Sequence, residues 1–292
     1  YLMVFLMIFL PVSKMNILES GFAIIARSRY DSKMIDILVP LLGDIAKVGD
    51  MAYEKYRSDV KVSLKDDQTP VTNVDHLIHN ELSQSLSHFF PDIPIISEEG
   101  AIPSFTERQK MDAYWSFDPL DGTVDFIEET DHFVISLGYI SNQMPTMGIL
   151  HHPVSGKSWV AIKNRGVFVQ HHGGEIVPIQ PPIPREDYVL LVSSHRNDED
   201  LCNVIVRQRE RELNQSVRVE RIGSALKLAY LAEGLGDEYI RFTPMKEWDF
   251  AAGHCLVNEA GFSVSPLDPS DVLAYGTKEL RIPPVSIRKK NH

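Results

Sequence analysis

Apolar residues recur along this chain at two different periods, and the change from one to the other divides it. From Met34 onward, Ile35, Leu38, Val39, Leu42, Ile45, Ala46, Gly49 and Tyr53 share one helical face, and that spacing predicts a helix. Thr69-Pro70 then enforces extended backbone, after which Val74, Ile78, Leu82, Leu86 and Phe89 trace a second amphipathic helix. Ile93–Ile96 and Tyr114–Phe117 are short apolar runs that read as buried strands, each followed by acidic residues. Between Phe133 and Gln170 four runs, Phe133–Ile140, Pro145–His151, Ser158–Lys163 and Val167–Gln170, are separated by short polar connections and predict an antiparallel meander. The patch Ile179–Pro184 is stiff and poor in hydrogen-bond donors, so it reads as a boundary. Beyond it strand and helix alternate: Tyr188–Ser193, Asp200–Leu213, Val217–Glu220, Ala225–Glu233, Tyr239–Phe242 and Trp248–Ala260. Such alternation predicts an α/β layer.

The amino terminus stands apart from this pattern. Tyr1–Val12 is almost wholly apolar, but it has no basic flank, and Pro11 interrupts it well short of the roughly 20 residues that span a bilayer. It reads either as a damaged signal peptide or, as we prefer, as upstream sequence that the fold does not need. The expected domains are therefore an extension over 1–33, an α+β lobe over 34–184 and an α/β lobe over 185–292.

Composition narrows the function classes. The 292 residues are 43% apolar and 24% charged, enough to bury a core, and the net charge of −11 argues against nucleic acid as a partner. An acidic protein that handles phosphates needs local cations, which bound metal would supply. Cys202 and Cys255 form no C-x-x-C pair and read as packing residues in a reducing compartment. His151-His152 and His171-His172 lack a third ligand at metal spacing and receive no role. The expected location is cytoplasmic, at most peripheral to the inner membrane.

The candidate chemistry lies where strands end. Tyr114–Phe117 delivers Asp118 and Asp121 on a Pro119- and Gly122-bearing turn, and two like charges so close call for a cation between them. The N–H groups of Gly122 and Thr123, if they open a helix, face an anion. Alone, Asp-Pro-x-Asp-Gly is also ordinary turn composition. Ser97-Glu98-Glu99-Gly100 repeats the theme, although a solvated Glu pair is common. Asp75 stands at the start of the second helix, where an N-cap is the plain explanation; Asp249, after Glu247-Trp248, could merely satisfy a helix dipole. Ser193-Ser194-His195 and Gly223-Ser224-Ala-Leu-Lys227 have anion-binding character, though a Ser cap with a solvated Lys explains the latter as well.

In this order, Asp75, Glu98-Glu99, Asp118-Pro-Leu-Asp-Gly-Thr123 and Trp248-Asp249 resemble the lithium-sensitive, magnesium-dependent phosphomonoesterase superfamily that includes inositol monophosphatases. Thr69-Pro-Val-Thr-x-x-Asp75, Ser194-His195, Gly223-Ser-x-Leu-Lys227, Ala232-Glu-Gly and Arg241-Phe are similar to bacterial 3'(2'),5'-bisphosphate nucleotidases of the CysQ type. Two departures exist: Val124-Asp125 replaces the Lys-Glu of that group, and Gly261-Phe262 stands where two glycines are usual. The resemblance implies a layered α-β-α-β-α sandwich, with an antiparallel meander sheet in the first lobe and a smaller mixed sheet in the second. It implies two or three magnesium ions held by Glu98, Asp118, the Leu120 carbonyl, Asp121 and Asp249, with Asp75 helping to place the third. Asp75 and Thr123 would orient and deprotonate water, with Glu98 in the catalytic set. Gly122 and Thr123 would hold the phosphate being cut, with Asp249 also facing the substrate. Ser194, His195, Gly223, Ser224, Lys227 and Arg241 would take a nucleotide and its second phosphate. The implied reaction is hydrolysis of adenosine 3',5'-bisphosphate to AMP. An inositol or sugar phosphatase is the alternative, and a non-catalytic sensor the reading from another class. The expected partner is a small phosphorylated metabolite, with neither nucleic acid nor a membrane.

Overall fold

The computed structural model describes residues 29–290 except 59, 181, 183–184 and 196–197, and only the backbone over 29–37. The expected extension over 1–33 thus lies mostly outside the described residues. Helix α1 runs Arg29–Lys55, so Met34 sits within the helix and not at its start. Leu38, Leu41, Leu42, Ile45, Val48, Gly49 and Ala52 are its buried positions, with Tyr56 just beyond its end, whereas Val39 is 39% and Tyr53 47% exposed. The expected face thus holds at Leu38, Leu42, Ile45 and Gly49 but is turned away from Val39 and Tyr53. Val48 and Tyr56, both absent from that face, carry it on as i+3, i+4 and i+4 steps from Ile45 through Ala52.

A small antiparallel hairpin follows, β1 (Val62–Leu64) on β2 (Pro70–Thr72). It feeds α2 (Asn73–Phe89), whose cap is Thr72; Asp75 is the third helical residue and closes a capping box by accepting from the Thr72 backbone. Asp75 is thus not itself the cap. Val74, Ile78, Leu82 and Leu86 are buried along α2, as their spacing predicts.

Next come β3 (Ile95–Ser97), the short α3 (Phe105–Arg108), β4 (Ala113–Asp121) and α4 (Thr123–Ile127). The meander follows as β5 (Val134–Ser141), β6 (Met144–His152), β7 (Lys157–Ile162) and β8 (Gly166–His171), ending in β9 (Val177–Pro178). These seven strands form one sheet in the order β3-β4-β5-β6-β7-β8-β9. Only β3 and β4 pair in parallel.

The chain then alternates: β10 (Tyr188–Ser193), α5 (Glu199–Leu213), β11 (Val217–Ile222), α6 (Leu226–Ala232), β12 (Glu238–Arg241), β13 (Met245–Lys246), α7 (Glu247–Glu259), β14 (Phe262–Pro266), β15 (Arg281–Ile282) and β16 (Val285–Lys289). The second sheet has the order β11-β10-β12-β16-β14, with β10 parallel to both its neighbours and the rest antiparallel. Mixed pairing of this kind matches the expectation for the second lobe. Strands β14 and β16 were not foreseen.

Helix α7 is the hinge of the packing. Gly138 and Gly148 pair across β5 and β6, and a Cβ on either would lie 2.5 Å from Ala251 or 2.2 Å from the Ala252 carbonyl oxygen. Backbone of helix and sheet therefore touch with no side chain between them. On its other side α7 meets α6, where a Cβ on Gly253 would lie 2.1 Å from Leu228. One core cluster accordingly joins Val134, Leu150 and Trp159 of the first sheet to Leu191, Tyr239 and Ile287 of the second. A separate cluster, Leu190, Val192, Cys202 and Ile240, seats α5 on the far face of the second sheet. Layered helix, sheet, helix, sheet, helix, the chain has the expected architecture. Among the described residues no helix is long and apolar enough to cross a membrane.

Both cysteines are buried and free. His151 and His152 are structural: their Nδ1 atoms lie 2.9 Å from Ser158 Oγ and 2.8 Å from Ser155 Oγ.

Candidate active site

Strand β4 does not stop at Phe117. It continues through Pro119 to Asp121, with its register against β5 shifting between Asp118 and Asp121. A strand can carry proline at such an irregularity, where no ladder donor is required. The irregularity directs both carboxylates to the strand's carboxyl end, and Asp118 Oδ1 accepts from the Leu120 N–H at 2.9 Å. Parallel pairing of β3 brings in Glu98, whose N–H bonds the Phe117 carbonyl. Asp249 arrives from the first turn of α7, where it accepts from the Lys246 N–H at 3.1 Å.

Glu98, Asp118 and Asp249 each present an oxygen within 4.8 Å of the others. Burial pushes the Asp118 carboxyl well above its usual range, and Glu98, Asp121, Asp249 and Asp75 add like charge. Burial likewise raises Asp249 to about 7, with Asp121 and Glu98 contributing. Asp121 rises to about 6 through burial, against the downward pull of Lys227 and the Ala225 N–H. Carboxylates that resist ionising together in this way are poised for a hard divalent cation, which takes oxygen donors and removes the repulsion. The donor set thus fits such an ion. The Leu120 carbonyl accepts from Thr123 Oγ1 at 3.1 Å.

Asp75 stands behind this cluster. Thr72 donates to its Oδ2 from the backbone at 2.8 Å and from the hydroxyl at 2.5 Å, and Thr123 Oγ1 lies 3.1 Å from its Oδ1. Burial raises its pKa, opposed by those Thr72 bonds. Thr123 has one hydroxyl proton for two acceptors, Asp75 and Leu120. When the proton goes to Asp75, the oxygen's lone pairs face the cavity.

The opposite wall comes from residues after β9, on the second sheet and the turn before α6. Lys227 Nζ donates to the Ser224 carbonyl and lies 5.4 Å from the centre of the Tyr239 ring. Arg241 is braced by the Thr243 carbonyl at 3.2 Å and Ser193 Oγ at 3.3 Å. Ser194 Oγ is shielded and has no hydrogen-bond partner among the described residues. His195 Nε2 is 3.0 Å from Asp125 Oδ1. Ser224 adopts a left-handed φ of 49°, and Ala225 N–H donates to Asp121. Helix α6 begins only at Leu226, so Gly223 and Ser224 form the turn before it and do not themselves open it.

Of the site residues that the resemblance implies, all except Asp75 line one cavity of about 320 Å³. Sequence reasoning missed Lys65, which ion-pairs Glu98 at 2.6 Å and Glu99 at 2.5 Å. Burial disfavours its charge, but the two glutamates outweigh this and raise its pKa. Asp125 was noticed only as a departure from a motif, and Tyr239 only as part of a strand.

A sequence model described as the inositol monophosphatase family matches residues 33–290. The chain belongs to that family. Among curated relatives, the 3'(2'),5'-bisphosphate nucleotidase CysQ of Aggregatibacter actinomycetemcomitans is 32% identical over 251 residues, covering 84% of this chain and 90% of that protein. CysQ of Salmonella typhimurium is 34% identical over 200 residues, covering 68% and 77%. The crystal structure of CysQ from Bacteroides thetaiotaomicron superposes with a TM-score of 0.72 over 88% of this chain and 98% of that one, at 24% identity. That last likeness carries the fold. The relatives carry the family, and they agree with the resemblance read from the motifs.

Proposed function

We propose that this protein is a 3'(2'),5'-bisphosphate nucleotidase, hydrolysing adenosine 3',5'-bisphosphate to AMP and phosphate in the presence of magnesium. The observation that carries this reading is the pairing of two unlike walls in one cavity. Carboxylates of Glu98, Asp118, Asp121 and Asp249 face Lys227 and Arg241 across it. A substrate with a single phosphate needs the first wall; a second phosphate gives the other wall its purpose.

In this reading Glu98, Asp118, the Leu120 carbonyl, Asp121 and Asp249 hold two ions, with Asp75 beside a third, weaker position. When bound, such ions lower the pKa of water and offset charge on the phosphate being cut. The residues of the chain do the positioning. Asp75 takes the proton of the attacking water through Thr123 Oγ1, 3.1 Å away. Backbone N–H groups of Gly122 and Thr123, at the head of α4, hold oxygens of the same phosphate. As the water oxygen bonds to phosphorus, the bond from phosphorus to the ribose oxygen breaks, and that oxygen takes up a proton. Lys227 and Arg241 hold the uncut phosphate, the latter through a planar fork. Ser194, whose hydroxyl has no partner among the described residues, and His195 contact the nucleoside side. The lobe over 34–184 would supply all of these metal ligands but Asp249, and that over 185–292 would supply Asp249 and close on the nucleotide.

The test is phosphate release with magnesium from adenosine 3',5'-bisphosphate, inositol 1-phosphate and fructose 1,6-bisphosphate. We expect kcat/KM for the nucleotide to exceed the others by tenfold or more, about 1.4 kcal/mol of transition-state discrimination. Preference for inositol 1-phosphate would leave the family in place and overturn the substrate assignment.

A further inference from the structure

Asp125 has no assigned part in the chemistry, yet it lies at the floor of the cavity and is only 2% exposed. A buried carboxylate needs partners. Thr130 Oγ1 donates to its Oδ1 at 2.6 Å, and His195 Nε2 pairs with the same oxygen at 3.0 Å. The first follows α4, the short helix that carries Asp125. The second reaches across from the second lobe, and its ring is 38% exposed, so it borders the cavity with little else to hold it. Its other nitrogen, Nδ1, lies 3.8 Å from the exposed Glu128 carboxylate, too far for a hydrogen bond.

A second, independent feature points to the same contact. Gly223, on the turn before α6, sits so close to Asp125 that a Cβ would lie 2.2 Å from Oδ2 and 2.5 Å from Oδ1. The turn that carries Ser224 and leads to Lys227 therefore rests directly on the carboxylate that holds His195.

We propose that Asp125 is a positioning residue for substrate selection: by pairing with Nε2 of His195 at 3.0 Å it holds the direction of that ring and favours a proton on Nε2, leaving Nδ1 as the atom offered to the nucleoside. An imidazole whose Nε2 proton is engaged presents a lone pair or a single donor at Nδ1, and which nitrogen does what is set by the partner of the other. Without Asp125 the ring can turn over or swing out. The consequence falls on binding of the nucleoside part and spares the phosphate being cut, whose contacts lie on Gly122, Thr123 and the carboxylates. This inference rests on the nucleotidase reading for its substrate, while the contact itself does not.

The test combines kinetics with a signature of the ring. Asp125→Ala should raise KM for adenosine 3',5'-bisphosphate about tenfold with kcat within about twofold, the pattern of lost ground-state binding. His195→Ala should do the same, and the double variant should add nothing, as expected of two residues acting as one unit. Gly223→Ala, which drives a methyl into Asp125, should shift KM in the same direction. Nitrogen-15 spectra of the neutral His195 ring should show the proton on Nε2 in the unmutated protein and a mixture of tautomers in Asp125→Ala. A fall in kcat with unchanged KM, additive effects in the double variant, or an unaltered tautomer would each overturn the proposal. Should the unmutated protein favour inositol 1-phosphate, the nucleotidase reading falls, and the ring spectra still decide whether Asp125 positions His195.

Discussion

The two walls of the cavity solve opposite electrostatic problems. On one, Asp118, Asp121 and Asp249 crowd like charges around a bulged strand end and a helix start, and burial leaves them reluctant to ionise together. On the other, each side chain already has a companion: Lys227 the Ser224 carbonyl, Arg241 the Thr243 carbonyl and Ser193, and His195 the Asp125 carboxylate. The first wall is incomplete without a cation from outside. The second is held in shape before any anion arrives. A site built this way stores its instability where the chemistry is done and its order where recognition is done.

The sharpest way to break this contrast is Asp118→Asn. It should lower kcat by about a thousandfold, about 4 kcal/mol of barrier, yet make the protein in chelator more stable by about 1 kcal/mol, because a buried like charge is gone. Phosphate release and urea unfolding measure the two together. Loss of stability in chelator would show that the acidic wall is not under strain.

On the other wall, Lys227→Met should raise KM for adenosine 3',5'-bisphosphate by about ten- to a hundredfold, about 1.4–2.8 kcal/mol, with kcat/KM for inositol 1-phosphate unchanged. Equal losses on both substrates would erase the distinction between the walls.

The scaffold beneath provides a smaller, pH-dependent effect that should touch neither wall. Burial pushes His151 down to about 3, below the roughly 6.5 of an unfolded chain. The unfolded state therefore binds a proton that the folded state refuses, so stability present above pH 6.5 is lost as pH falls towards 3, at about 1.4 kcal/mol per pH unit. Urea unfolding at pH 7.5 and 5.5 should show the native protein losing about 1.4 kcal/mol more than His151→Gln. An equal loss in both proteins would mean that the site is hydrated.

The smallest effect concerns Lys65, a cation from the hairpin that competes for Glu98. Lys65→Met should tighten magnesium binding about threefold, in keeping with a partly exposed ion pair. Titration calorimetry reads it directly. Weaker binding would mean that Lys65 organises the acidic wall and does not compete for it.

How much of this was written in the residues varies with the range of the interactions involved. The meander could be read because its strands are apolar runs cut by short polar turns, a wholly local signal. Proline misled at residue 119, where it suggests a strand end; the register shift that accommodates it depends on β5, which no local rule contains. Strand β16 escaped because its exposed and buried positions alternate within a tail of basic residues, and only pairing with β12 and β14 makes it central. The acidic ligands were legible through repeated carboxylates at strand ends and through the family resemblance. Lys65 pairs with residues 33 and 34 positions away, and the link from Asp125 to His195 crosses from one lobe to the other. Contacts of that kind belong to the folded chain alone.

The bond from Ala225 N–H to Asp121 ties the turn that leads to Lys227 to one of the carboxylates of the acidic wall. Lys227 also pulls the Asp121 carboxyl towards its charged form. On the proposed reading one carboxylate would answer to both ligands, so their affinities would be linked. By thermodynamic reciprocity, whatever factor magnesium adds to the affinity for nucleotide, nucleotide returns to the affinity for magnesium.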